Sequence, residues 1–347
     1  MNQYITFSES ILQTLDQALS YDPSVIVVGL GVPDPKGVFG TTLGLQNKHG
    51  SNRVVDMPCS ENGMTGIAIG AAILGMRPIL THQRVDFALL SLDQIINNAA
   101  KWHYMFGGEM NVPLVIRMVM GRGWGQGPQH SQSLHSLFAH IPGLKVVMPS
   151  SAYDAKGLLL SAIEDGNPVI FMEHRWLYNI YGPVPKERYT IPIGKAKIIQ
   201  EGTDVTLITA SHMTLEAYRA LPILSEQGIS VELIDLRSIL PFDKETILAS
   251  VQKTGRLVVA DPDWKTGGFA AEIITTVVET TILKCPPQRV CYPDRLTASS
   301  PALAEHFYPS FTHIASTILQ MMGLDPLPEK TNDVFSDVPD TTFTGPF

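Results

Sequence analysis

Two short stretches carry residue types able to do chemistry. The first is Asp56-Met57-Pro58-Cys59-Ser60-Glu61-Asn62-Gly63, where a strand exit runs into the apolar stretch Met64 to Leu74, so Glu61 falls in a first helical turn. A carboxylate there complements the helix dipole, and taken alone it does no more than that. The second is Gly121-Arg122-Gly123-Trp124-Gly125-Gln126-Gly127-Pro128-Gln129-His130-Ser131-Gln132. A glycine-rich loop at the C-terminal end of a parallel strand is where α/β proteins place ligands. This one matches neither GxGxxG nor the Lys-bearing P-loop, so it is no convincing phosphate cradle. His130 has a ring suited to proton transfer near neutrality and equally to a structural hydrogen bond. His82, His103, His135, His140 and His174 show no HExxH or paired-ligand spacing, and no GxSxG elbow occurs. Neither a catalytic metal nor an α/β-hydrolase is indicated.

The elements that must hold these stretches follow from periodicity. Short β-branched runs at Val25 to Val32, Pro78 to His82, Pro113 to Met120, Lys145 to Pro149 and Pro168 to His174 alternate with helical patterns at Phe7 to Tyr21, Asp86 to Phe106 and Ser151 to Glu164. That alternation predicts a parallel sheet with helices on both faces. Small residues recur every four positions along Gly66 to Gly75, which permits close approach of another helix, at a subunit interface or in the core. Pro183, Pro185 and Pro192 break the pattern. A second alternation begins after them, with strands at Asp204 to Ala210, Val231 to Arg237, Arg256 to Asp261 and Arg289 to Tyr292. The chain thus divides into an α/β domain over 1–177, a linker over 178–198, a smaller α/β domain over 199–323, and a tail or arm over 324–347.

With 347 residues, 44% hydrophobic and 17% charged, the chain has material for two cores and too little charge for disorder. A net charge of -8 gives no footprint for nucleic acid. Cys59, Cys285 and Cys291 have no CxxC spacing, so a reducing cytoplasm is the expected compartment. No stretch is apolar for the roughly 20 residues that a bilayer span takes.

Several motifs in order then resemble one family. Ser60-Glu61 with its Gly/Ala helix, Ser91-Leu92-Asp93-Gln94-Ile95-Ile96-Asn97-Asn98-Ala99-Ala100-Lys101, Gly127-Pro128-Gln129-His130-Ser131-Gln132, Pro142-Gly143-Leu144-Lys145-Val146-Val147, Ile234-Asp235-Leu236-Arg237 and Thr254-Gly255-Arg256-Leu257-Val258-Val259 resemble the β subunit of the thiamine-diphosphate-dependent decarboxylase component of 2-oxoacid dehydrogenase complexes. The resemblance spans roughly residues 4–325. It implies a pyrimidine-binding domain followed by a transketolase-type C-terminal domain. It also implies that Glu61 hydrogen-bonds N1′ of the aminopyrimidine and activates the cofactor by proton exchange, and that His130 serves the substrate-derived intermediate or acyl transfer. His82, Val85 and Gln129 fall at cofactor-facing positions. The Gly-Asp-Gly motif that holds Mg²⁺ and the diphosphate is absent from the chain, so the resemblance implies an α subunit that carries it, an α2β2 assembly, and a lipoyl acyltransferase as acceptor. It further places a potassium site at Leu114, Ala162, Ile163, Asp165 and Asn167, held mostly by carbonyl oxygens.

The chain also departs from that family. Gly29-Leu30-Gly31-Val32 lacks the acidic residue that follows this strand in relatives, and Val85 stands where an aromatic ring packs on the aminopyrimidine, with His82 and Arg84 beside it. A pocket altered in this way, with Arg84 and Arg122 near it, supports a second reading: the same cofactor chemistry delivering a two-carbon or acyl unit to an aldehyde or sugar acceptor, as in a split transketolase or an acyloin-forming transferase. A regulatory paralogue without catalysis is disfavoured by the retention of Glu61 and His130.

Overall fold

The computed structural model describes residues 2–122, 125–304 and 306–328. The β-branched runs form a seven-stranded sheet in the order Ser238–Leu240, Lys145–Val147, Val169–His174, Val115–Met120, Arg77–His82, Val25–Gly29, Val54–Asp56. Six strands are parallel. The edge strand Ser238–Leu240 is antiparallel, and it comes from the second half of the chain. On one face Phe7–Tyr21 packs against Ala152–Glu164, burying Phe7, Ile11, Leu15, Leu158 and Leu159 against Val27, Ile79 and Phe171. Phe7–Tyr21 starts where the sequence predicts because Thr6 and Glu9 form a reciprocal capping box.

Two expectations change on folding. The helix expected over Asp86 to Phe106 is broken into Val85–Ala88, a 3-10 turn Leu89–Ser91, a π-helical stretch Gln94–Ala99 and Ala100–Met105. A π turn adds a residue per turn without disturbing the apolar spacing enough to show in the sequence. This stretch packs on the helix Glu61–Ile73, where a Cβ on Gly66 would lie 3.3 Å from Gln94 Oε1. The proline-rich segment after Leu177 also contains an ordered strand, Tyr181–Pro185, paired antiparallel with Asn2–Thr6. As the edge of a two-stranded ladder it tolerates proline.

The second half builds a five-stranded sheet in the order Gln288–Tyr292, Leu257–Trp264, Val205–Thr209, Val231–Asp235, Lys197–Gln200, the last antiparallel. His212–Glu226 and Phe311–Met321 cover one face. Residues 324–328 continue without regular structure, and the rest of the expected tail lies outside the described residues. One apolar cluster runs from the large sheet into the second one, joining Leu144, Val146 and Met148 to Leu236, Ile239 and Val259. Polar clamps flank it. Arg237 pairs with Asp154 at 2.5 Å, and His135 Nε2 meets Asp261 at 2.8 Å with Asp263 at 3.5 Å.

Arg117 and Glu173, both buried, form a two-pronged pair at 2.6 and 2.9 Å, completed by Tyr178 Oη at 2.8 Å and Thr41 at 3.0 Å. Glu173→Ala strands a buried guanidinium and is expected to lower the unfolding free energy by about 3–5 kcal/mol in urea titrations. The double variant R117M/E173M is expected to lose less than E173A alone. Burial by itself would depress His135, but Asp261 and Asp263 hold it protonated and raise it to about 9. Because the folded value exceeds the ordinary 6.5, its contribution is complete below about pH 6.5 and fades as pH rises through 9. The fall in stability over that window, about 3 kcal/mol, should be flattened by His135→Gln when unfolding is followed as a function of pH.

Candidate active site

Parallel strands present their carboxyl ends at one edge of the large sheet, and the side chains singled out from the sequence gather there. Glu61 opens the helix Glu61–Ile73 just past Val54–Asp56. It is half-buried, Thr65 Oγ1 returns a hydrogen bond to its carbonyl at 2.7 Å, and no hydrogen bond or ion pair engages its carboxylate among the described residues. The helix behind it is covered on one side only: Ile67 is 63% exposed and Leu74, just past its end, 86%. The small residues Gly66 and Gly70 are half-buried, Gly66 against Gln94, while the face that carries Ile67 and Leu74 is turned outward in the single chain.

A chain of polar contacts ties Glu61's strand to the glycine-rich loop. Asp56 Oδ1 accepts from Gly31 N–H at 2.8 Å, Leu30 carbonyl accepts from Gln83 at 3.0 Å, Arg84 donates to Gln126 Oε1, and Gln132 donates to Asp86 at 2.6 Å. Burial pushes the Asp86 carboxyl up, against the pull of Gln132, Arg84 and His130. Gly123 and Trp124 of the loop lie outside the described residues. His130, half-buried, stands edge to face with Phe87 at 5.4 Å, and its Nδ1 lies 2.5 Å from the Gln129 carbonyl. A carbonyl only accepts, so Nδ1 carries the hydrogen, and in the neutral ring Nε2 keeps the lone pair.

The other expected residues fall as follows. Gln129 is exposed on the loop beside His130. His82 ends Arg77–His82 and is buried with Nε2 unpartnered; desolvation lowers it to about 4, so it is neutral. Val85 is fully buried in the apolar cluster with Leu80 and Ile95. Of the five potassium-site residues, three have acceptors that are already engaged. Arg77 donates to the carbonyls of Ile163 at 2.7 Å and Asp165 at 3.2 Å, Lys145 pairs with the Asp165 carboxylate, and the Leu114 carbonyl accepts from Val169 at 3.0 Å. Ala162 is buried in the adjoining core, and Asn167 Oδ1 is buried without a partner.

Sequence reasoning missed His174, Arg175, Trp176 and His212. His174 and His212 stack at 4.7 Å, and Trp176 meets His212 edge-on at 5.5 Å. A Cβ on Gly121 would lie 2.1 Å from His174 Nε2, and its φ of +80° suits glycine alone, so this loop glycine makes room for the imidazole. The one signal available was the run Glu173-His174-Arg175 closing an otherwise apolar strand.

Among the described residues, the one group of three or more metal-ligating side chains is His135, Asp261 and Asp263, which joins the two domains. No helix is long and apolar enough to cross a membrane among them.

Comparison with known proteins gives this geometry a family. The transketolase pyrimidine binding domain matches residues 3–180 and the transketolase C-terminal domain matches 194–314. The subunit beta of acetoin:2,6-dichlorophenolindophenol oxidoreductase is 43% identical in Cupriavidus necator, over 93% of this chain and 98% of that protein, and 40% identical in Bacillus subtilis with the same coverage. Pyruvate dehydrogenase E1 component subunit beta-1, mitochondrial, of Oryza sativa subsp. japonica is 45% identical over 84% of this chain and 79% of its own. A solved structure titled split gene transketolase, inactive beta4 tetramer, shares the fold with a TM-score of 0.76 at 20% identity, covering 92% of this chain and 99% of that one. The chain thus belongs to the transketolase-like family of β subunits of acetoin and pyruvate dehydrogenases.

Proposed function

We propose that this chain is the β subunit of a heteromeric thiamine-diphosphate-dependent 2-oxoacid decarboxylase, supplying the pyrimidine half of the cofactor site. The observation that carries the reading is Glu61, a half-buried carboxylate at an open helix start, above the ends of parallel strands and engaged by no other side chain among the described residues. A group in that position is free to hold N1′ of an aminopyrimidine.

The residues fit this half of the group and not the other. No Gly-Asp-Gly occurs in the chain, so Mg²⁺ and the diphosphate fall to an α subunit. Its arrival over the outward apolar face at Ile67 and Leu74 would bury what the single chain leaves exposed. An α2β2 assembly satisfies both requirements. When bound, thiamine diphosphate supplies a nucleophilic thiazolium carbon and an electron sink. Glu61 would hold the proton exchanged at N1′, and the helix dipole favours its anion. His130 offers Nε2 to the reacting substrate, its tautomer set by the Gln129 carbonyl. His82, neutral, and Val85 are buried and would act on the cofactor only through the residues that cover them. A lipoyl group of an acyltransferase would be the acceptor of the acyl unit.

A second reading, transfer to an aldehyde or sugar acceptor, is favoured by one feature: arginines buried above the same strand ends. The two readings part in one assay. The chain co-expressed with its α subunit is supplied with 2-oxoacids and either 2,6-dichlorophenolindophenol or an aldehyde. Dye reduction supports the dehydrogenase, carbon–carbon bond formation the transferase. The chain by itself is expected to show neither, and turnover without a partner would overturn the two-subunit reading. Glu61→Gln is expected to lower kcat by about 100- to 10 000-fold in either assay while leaving assembly intact, as measured by steady-state kinetics and size-exclusion chromatography.

A further inference from the structure

His135, Asp261 and Asp263 meet from distant parts of the chain. His135 opens the helix His135–Ala139, shortly after His130, in the stretch that matches the pyrimidine binding domain. The two aspartates lie on Leu257–Trp264, within the C-terminal domain. All three side chains are buried, and each offers one ligand atom to a group whose atoms lie within 4.8 Å of one another.

Each carboxylate is oriented by a donor from outside the trio. Ala270 N–H donates to Asp261 Oδ2 at 2.9 Å and Trp264 N–H donates to Asp263 Oδ1 at 2.7 Å. The other oxygens, Asp261 Oδ1 and Asp263 Oδ2, are thereby turned to His135 Nε2, at 2.8 and 3.5 Å. Ser136 Oγ, the next residue of the same helix, donates to Asp263 Oδ2 at 2.5 Å. Outer hydrogen bonds of this kind are what fix carboxylate ligands at a metal. Donors around a tetrahedral Zn²⁺ with bonds of about 2.0–2.2 Å stand about 3.3 Å apart, so the two separations from Nε2 need to change by only about half an ångström.

The charges point the same way. Among the described residues His135 is the one cation within ion-pair distance of either aspartate, so a protonated ring sets a single positive charge against two buried carboxylates. A divalent cation with a neutral imidazole balances both. Imidazole suits Zn²⁺ and its transition-metal neighbours, whereas a set this small does not supply the roughly six to eight oxygens that Ca²⁺ takes.

We propose that His135, Asp261 and Asp263 form a divalent-cation site, Zn²⁺ by preference, that fastens the two domains together, with Ser136 Oγ at hand for the fourth position. In the metal-free chain the proton on His135 Nε2 fills this place; it leaves for solvent as the ion binds, and Nδ1 keeps its hydrogen. The site is independent of the functional reading above.

The test uses the full chain, freed of metal with EDTA and without cofactor or partner. Thermal unfolding is followed while ZnCl₂ is titrated, with MgCl₂ and CaCl₂ in parallel, and bound zinc is counted after gel filtration. The wild type is expected to show a saturable, EDTA-reversible rise in Tm with zinc and to retain one ion per chain, and Mg²⁺ or Ca²⁺ at equal concentration should not reproduce the rise. Co²⁺ in place of zinc should give the visible absorption of a tetrahedral ion. Asp263→Asn keeps the size of the side chain; it should weaken the apparent affinity about tenfold or more and remove the cobalt absorption, whatever its Tm without metal. No saturable shift, equal shifts with Mg²⁺ or Ca²⁺, less than one ion retained per chain, or unchanged affinity in Asp263→Asn would overturn the proposal. Should that variant fail to fold, His135→Gln is titrated in its place under the same criteria.

Discussion

The buried pair between Arg117 and Glu173 constrains everything above it. Both central strands are apolar on their two faces, so hydrophobic alternation cannot fix their register. A charged pair can, because sliding one strand by a residue would strand a guanidinium in the core. In the observed register Met120 faces His174, and the loops that follow begin at the same height. Gly121 with its loop and Arg175 with its aromatic neighbours are placed by that alignment. The pair lies below the strand ends, yet the placement of the loops over them is inherited from it.

On that edge the chain presents two different kinds of surface. Around Glu61 it is open: a helix start, a free carboxylate and an apolar face turned to solvent. Over the arginines it is closed, with side chains buried against rings and imidazoles. An open half suits a cofactor completed by another subunit. In the closed half, buried Arg84 and half-buried Asp86 stand two residues apart, and away from water opposite charges act on each other most strongly.

Much of this was legible in the sequence for physical reasons that also mark where legibility stopped. Strands buried on both faces write themselves as compact β-branched runs, and Phe7–Tyr21 and Ala152–Glu164 carry capping residues as well as periodicity. Glu61 and His130 stood out because each sits in a contiguous motif. The π-helical stretch Gln94–Ala99 was missed since its apolar residues still satisfy a helical pattern. Tyr181–Pro185 was missed because prolines argue against strands except at an edge, and its partner lies at the other end of the domain. The gathering of Arg84, Arg122 and Arg175 past neighbouring strand ends left no local trace. Its members are brought together by strand order, and the order in which parallel strands pair is a tertiary fact.

Val85 shows how the closed half is anchored. Its side chain is sealed in the core, while Arg84 before it donates to Gln126 and Asp86 after it accepts from Gln132, so the segment is tied at two points to the loop that bears His130. The two opposite charges lie two residues apart, and each offsets part of the cost of burying the other. A loop held at two points by a segment whose middle residue cannot leave the core has little freedom to shift, and a side chain that is to meet a bound molecule needs that restraint.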